Sequence, residues 1–144
     1  MADDLDRFVT AQQPVYDQVL AELRRGRKVS HWMWFIFPQI SGLGQSPMSE
    51  RFAIHSIEEA RAYLAHPVLG PRLRECAGAV LAVKDRTAEE VFGPIDARKL
   101  RSCMTLFDRA APSEPLFRQV LDRWFGGMPD DKTDILLTSQ VVAG

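Results

Sequence analysis

The chain has 144 residues, of which 46% are hydrophobic and 26% are charged, a composition typical of a globular protein and unlike that of a disordered one. This length suffices for one hydrophobic core, so we expect a single helical domain spanning residues 1–144. The net charge is −1, from 18 basic and 19 acidic side chains, which argues against an overall attraction to nucleic acid or to an anionic membrane surface.

The two cysteines, Cys76 and Cys103, are far apart and outside any C-x-x-C pair, so the sequence indicates neither a disulfide framework nor a zinc site. Residues 1–6 are acidic where a secretory signal is basic and then apolar, and no apolar run is long enough to cross a membrane. We therefore expect a cytoplasmic protein that makes no membrane contact and holds no metal or cofactor.

Helical spacing of apolar residues predicts a first helix from Asp4 to Arg25, interrupted at Pro14 and ended by Gly26. The segment 30–49 that follows is rich in aromatic residues and punctuated by proline and glycine. Such dense punctuation is incompatible with regular structure, so this segment is predicted to be an irregular, buried loop.

Capping boxes predict the starts of later helices. Ser56 and Glu59 have the spacing in which each side chain satisfies the other residue's free backbone N–H, and Thr87 and Glu90 repeat it. No stretch alternates for long enough to predict a strand. The sequence therefore predicts an all-α fold, an irregular bundle of about six to eight helices. Its remaining predicted helices cover Val68–Val83, Asp96–Phe107, Ser113–Phe125 and Asp131–Thr138.

Candidate site residues are densest between His31 and Gln39. Trp32 and Trp34 can stack a flat ligand, while the indole N–H groups and the Gln39 amide supply directional hydrogen bonds. An imidazole suits proton transfer at neutral pH, so His31 is a candidate catalytic residue. The alternative is that the rings belong to the core and that His31 is a structural imidazole bonded to a backbone carbonyl.

Two glycines follow the aromatic run. Gly42 and Gly44 can bring backbone N–H groups close to a phosphate, and Ser49 lies near the start of a helical segment that can hold an anion. A plain turn is the alternative explanation of the glycines.

Lys99, Ser102 and Thr105 place a cation and two hydroxyls on neighbouring turns of one predicted helix. Such groups recognise anionic oxygens, although a solvated helix face is the simpler explanation. The histidines match no metal-ligand spacing, and the basic cluster at residues 24–28 is explained by the electrostatics of a helix C-terminus. Neither metal binding nor nucleic-acid binding is indicated.

Short motifs along nearly the whole chain resemble those of one protein family. They are Arg7-Phe8, Ala11-Gln12, His31 to Gln39, Gly42 to Gly44, Glu59 to Leu64, Leu69-Gly70, Phe92-Gly93, Lys99-Leu100 and Ser102 to Phe107. The chain resembles domain-of-unknown-function family number 1810, a family of short bacterial proteins sometimes labelled calpastatin. The resemblance implies a mainly helical single domain and supplies no catalytic residue.

A more distant similarity is to helical NAD- and ADP-ribose-associated proteins that cleave N-glycosidic bonds, through an aromatic loop followed by a polar helix. Cleavage of that bond needs a placed carboxylate to stabilise positive charge on the sugar. Glu50 is the nearest candidate in this sequence.

Two functional hypotheses follow. In the first, the protein is an enzyme or sensor that binds a small anionic aromatic metabolite, such as a nucleotide or an ADP-ribose-like molecule, in a pocket between the 30–49 loop and the 96–110 helix. In the second, it is a non-enzymatic protein-interaction module, and the loop belongs to the core. They differ in whether loop and helix enclose a space large enough for a ligand.

Overall fold

The computed structural model describes residues 5–143, with side chains as far as Gln140. Over these residues the chain forms nine α-helices and no strand, which confirms the all-α prediction. An isolated parallel bridge joins Ile40 to Ile54. The helices are α1 (Asp6–Gln12), α2 (Tyr16–Arg25), α3 (Met33–Ile36), α4 (Pro47–Arg51), α5 (Ile57–Ala65), α6 (Leu69–Ala82), α7 (Ala88–Ala110), α8 (Pro115–Phe125) and α9 (Asp131–Ala143).

The first predicted helix consists of two helices, α1 and α2, separated at Pro14 as expected. Gly26 ends α2 in the left-handed conformation with φ +71°, where a side chain is strained. The predicted start at Asp4 lies outside the described residues.

The 30–49 segment contains two short helices, which raises the helix number above the predicted six to eight. The helix α3 is a single turn, and α4 begins at Pro47, with the Ser46 hydroxyl accepting the Ser49 N–H at 3.1 Å. The backbone between these two helices is hydrogen-bonded to the residues that follow α4, since the Ile54 N–H donates to the Gln39 carbonyl at 2.8 Å. The segment is therefore fixed rather than free.

Both capping boxes begin helices where predicted. At Thr87 the box is complete, with a 2.7 Å bond to the Glu90 carboxylate and a 3.1 Å bond in return. At Ser56 only one half forms, since the Glu59 carboxylate accepts the N–H of His55 at 2.7 Å. Local side-chain chemistry thus sets the start of α5 and of α7.

The helix α7 joins two predicted segments across Gly93, whose φ of +81° interrupts the helical backbone before Pro94. Its C-terminal half lies at the centre of the molecule and packs against α5, α8 and α9. The last helix, α9, continues past its predicted end at Thr138.

Aromatic rings connect the helices through the core. The Phe8 ring lies 5.2 Å from that of Tyr63, which lies 5.4 Å from Phe107, which in turn lies 5.9 Å from Phe117. All four side chains are fully buried. Since burying one large apolar side chain contributes roughly 1.5–3 kcal/mol, this chain of rings is a main source of stability for α1, α5, α7 and α8.

Candidate functional site

Trp32, predicted to stack a ligand, belongs to the core. Its side chain is only 1% exposed, and its indole N–H donates to the Glu22 carboxylate at 2.9 Å. Its ring lies 6.3 Å from that of Phe37. The buried indole fits the core interpretation of the aromatic segment, and a ligand-binding role for Trp32 stays a prediction.

Glu22 is a buried carboxylate that sequence reasoning missed. It accepts hydrogen bonds from the backbone N–H groups of Val29 and Ser30, at 2.8 and 3.1 Å, and from the Ser30 hydroxyl at 2.6 Å. The Trp32 indole and the Gln18 amide complete the set. Burial alone would raise the pKa of Glu22, but these hydrogen bonds outweigh it and lower the pKa to about 2. The carboxylate therefore stays ionised and fixes residues 29–32 onto α2.

Lys99 does reach the aromatic loop, as predicted. Its ammonium lies 5.0 Å from the centre of the Trp34 ring. Asp96 lies 3.6 Å from this ammonium and 2.9 Å from that of Lys28, which also donates to the Ser30 carbonyl at 2.7 Å. Asp96 thus pairs with both ammonium groups, and the three side chains together keep one net positive charge.

The hydroxyls predicted beside Lys99 each donate to a backbone carbonyl of their own helix. Ser102 donates to the Arg98 carbonyl at 3.1 Å and is 5% exposed. Thr105 donates to the Arg101 carbonyl at 2.8 Å, accepts the Asp130 N–H at 2.9 Å and is fully buried. Both hydroxyls bond to the protein backbone, which fits a structural role, and an anion-binding role for them stays a prediction.

Six other predicted residues gather around one cleft. They are Trp34, Gln39, Gly42, Gly44, Ser49 and Glu50. The cleft holds about 20 Å³, which is room for roughly one water molecule and far too little for a nucleotide. That these residues bind a ligand stays a prediction. His31 is exposed to solvent and does not line this cleft.

The two glycines of the cleft meet packing requirements. A Cβ at Gly44 would lie 2.4 Å from the Ser49 side chain, so only glycine fits beside this serine. Gly42 has φ +105° and faces Leu136 of α9, whose side chain a Cβ would approach to 3.2 Å. A turn and close packing therefore account for both glycines without a phosphate.

A much larger space lies between α5, α7 and α9. This groove has a volume of about 480 Å³. The sequence did not predict it, because its walls come from helices far apart in the chain. It is lined by Ile57, Glu58, Arg61, Arg109, Asp134, Leu137, Thr138 and Gln140.

Arg109 holds one wall of the groove in place. Two of its nitrogens bond to the Asp134 carboxylate of α9 at 2.8 and 2.9 Å, and the third bonds to Asp108 at 2.8 Å. The hydrogen bonds that Arg109 donates to Asp134 raise its pKa, and the negative charges of Asp134 and Asp108 add to this, although partial burial acts in the opposite direction. All three guanidinium nitrogens are occupied, so Arg109 is a structural clamp between α7 and α9.

Arg61 has a different environment in the same groove. Its Nε donates to the Ala110 carbonyl at the end of α7, at 3.2 Å. Among the described residues its two terminal nitrogens make no further hydrogen bond or ion pair, and the side chain is exposed. The arrangement orients a guanidinium toward the groove and leaves its outer edge available to an anion.

No group of three or more potential metal ligands occurs within residues 5–143. Cys76 and Cys103 are unpaired and buried, and burial raises the pKa of the Cys76 thiol to about 12. A thiol held protonated in this way is a poor nucleophile. In the part of the chain that the structure describes, every helix is too short or too polar to cross a membrane.

A family model described as "Protein of unknown function (DUF1810)" matches residues 2–137. The chain belongs to the DUF1810 family. This confirms the resemblance found in its sequence motifs.

A solved structure of the conserved hypothetical protein Rv1873 from Mycobacterium tuberculosis is similar to this DUF1810 chain. The two are 55% identical, with a TM-score of 0.92, over 94% of this chain and 96% of the other. A comparison with curated proteins finds no match. The DUF1810 match includes most of the groove, from Ile57 to Leu137, and stops short of Thr138 and Gln140.

Proposed function

We propose that the protein binds a small anionic metabolite in the groove between α5, α7 and α9. The observation that carries the proposal is an oriented arginine, Arg61, which has no ion-pair partner among the described residues and lines a space of about 480 Å³. Ligand sites typically measure roughly 300–1,000 Å³ and combine apolar walls with a few placed polar groups. Ile57 and Leu137 provide the apolar walls here.

In this proposal Arg61, and not Arg109, is the residue that binds the anion. Three of the five N–H donors of Arg109 already bond to two carboxylates, whose negative charge disfavours a second anion there. The terminal nitrogens of Arg61 have no carboxylate partner among the described residues, and the bond to Ala110 uses only Nε. A guanidinium edge binds a carboxylate or a phosphate through two parallel hydrogen bonds.

The sequence-based hypothesis of an anionic aromatic ligand fits this location better than the aromatic loop. The loop cleft holds about 20 Å³, whereas the groove is more than twenty times larger. Nucleotides and ADP-ribose-like compounds are therefore the first class to test. Whether binding leads to a reaction is a separate question, and we propose binding alone.

Thermal shift measurements with nucleotides, sugar phosphates and carboxylates test the proposal. A ligand at a hundred times its Kd stabilises the folded state by about 2.7 kcal/mol. We expect one anionic compound to stabilise the protein and Arg61→Gln to abolish the shift. Arg98→Gln is the matched control, since Arg98 is exposed on α7 and does not line the groove.

Two results would overturn the proposal. One is the absence of stabilisation by every anion at millimolar concentration. The other is stabilisation that Arg61→Gln leaves intact. The first result would favour the alternative hypothesis, a protein-interaction module.

A further inference from the structure

The charges of the groove narrow the class of ligand. Glu58 and Arg61 are three residues apart on α5, so their side chains leave the same face of the helix. Both side chains are exposed and both line the groove. Their opposite charges can therefore both reach one molecule in the groove.

These two charges do not neutralise each other. A pair at this spacing commonly forms an ion pair, yet none joins Glu58 to Arg61 or to any other described cation. The bond from Arg61 Nε to the Ala110 carbonyl accounts for the separation, because it turns the guanidinium toward the end of α7. The groove thus presents one available cation and one available anion.

The remaining charged groups of the groove are matched. Arg109 and Asp134 form a two-bond ion pair, so they contribute no net charge. A ligand with only an anionic group pairs with Arg61 but leaves Glu58 unpaired and repelled. A ligand with both charges pairs with both residues, and opposite charges close together interact favourably even near solvent.

We propose that the groove binds a zwitterion of the amino-acid type with an apolar side chain. Its carboxylate meets the terminal nitrogens of Arg61, its ammonium meets Glu58, and its side chain lies against Ile57 and Leu137. This inference rests on the proposed function and adds the requirement for a cationic group on the ligand.

Isothermal titration calorimetry with three related compounds tests this requirement. L-phenylalanine carries both charges, N-acetyl-L-phenylalanine only the carboxylate, and L-phenylalaninamide only the ammonium. We expect the zwitterion to bind at least tenfold more tightly than either analogue. In Glu58→Gln we expect L-phenylalanine to lose its advantage over the N-acetyl compound, whose own affinity should not fall because the variant removes a charge that repels it.

Glu89→Gln is the control variant, since Glu89 is also an exposed acid in the first turn of a helix. A thermal melt of each variant establishes that it is folded. If the N-acetyl compound binds as tightly as L-phenylalanine and Glu58→Gln changes neither, the zwitterion inference is wrong while the proposed anion site stands. If L-phenylalanine fails to bind and another anion binds through Arg61, the inference is again wrong. Only the failure of every anion rejects both proposals.

Discussion

The aromatic segment 30–49 and the groove between α5, α7 and α9 differ in how their polar groups are satisfied. In the segment, the Trp32 indole is bonded to the buried Glu22 carboxylate. In the groove, Arg61 and Glu58 have charged ends that no described residue pairs. A polar group that is already hydrogen-bonded within the protein cannot bind a ligand without losing that partner. Polar groups without a partner are therefore better evidence for a binding site than a segment of unusual composition.

The largest expected loss of stability follows from the replacement of Glu22. Its replacement in Glu22→Ala leaves the indole of Trp32 and the N–H groups of Val29 and Ser30 without their acceptor. Breaking a buried charged network of this kind costs about 3–5 kcal/mol. Urea denaturation of the variant measures the loss. A loss below about 1 kcal/mol would show that the segment is held by its aromatic packing alone.

The dependence of stability on pH sharpens the same comparison. The pKa of Glu22 is about 2 in the folded protein, against an ordinary value near 4.5. Because the folded pKa is depressed, the stabilisation is complete above the ordinary value and is lost as the pH falls toward 2. We expect the difference in unfolding free energy between the wild type and Glu22→Gln to be constant above about pH 5.5 and to narrow below it. Denaturation at several pH values measures this difference, and a constant gap down to pH 3 would contradict the assignment.

Trp32→Phe separates the two interpretations of the aromatic segment. This substitution keeps much of the packing of the aromatic ring but removes the indole N–H that donates to the Glu22 carboxylate at 2.9 Å. A hydrogen bond to a charged group contributes about 1.5–3 kcal/mol, so a loss of stability in this range is expected. Ligand binding, measured by thermal shift against the variant's own baseline, should be unchanged. Weaker binding by a fully folded variant would instead support the stacking role predicted from the sequence.

Much of the fold could be predicted from the sequence because its signals are local. The capping residues Ser56 and Thr87 begin helices by bonding to N–H groups three residues away. Gly26 ends α2 through its own backbone conformation. Such interactions depend on neighbours in the chain and need no knowledge of tertiary packing.

The candidate site could be predicted only in part, since it depends on packing. Arg61 is oriented by a carbonyl 49 residues away, and Arg109 by a carboxylate 25 residues away. Composition correctly drew attention to residues that meet, such as Trp34 and Lys99, but it gave no information on the space between them. Glu22 did leave a signal, because it lies one turn from Val19 on the buried face of α2.

Arg109→Gln and Arg61→Gln together distinguish the structural clamp from the residue that binds the anion. Arg61→Gln has the smallest expected loss of stability. Arg109→Gln removes three hydrogen bonds and leaves Asp108, whose side chain is 7% exposed, with only the contact to Arg118 at 3.4 Å. A loss of about 1–3 kcal/mol is expected. Arg61→Gln should change stability by less than about 0.5 kcal/mol, because the side chain is exposed and loses one bond.

Binding should respond in the opposite order. Arg61→Gln, with near wild-type stability, should lose the anion, whereas Arg109→Gln should retain it at temperatures where α9 stays in place. Chemical denaturation and calorimetry on both variants measure the two quantities independently. If Arg109→Gln remained folded and lost binding while Arg61→Gln kept it, the residue that binds the anion would be Arg109, which we assign as a structural clamp. The unpaired charge of Arg61 would then be an ordinary solvated side chain.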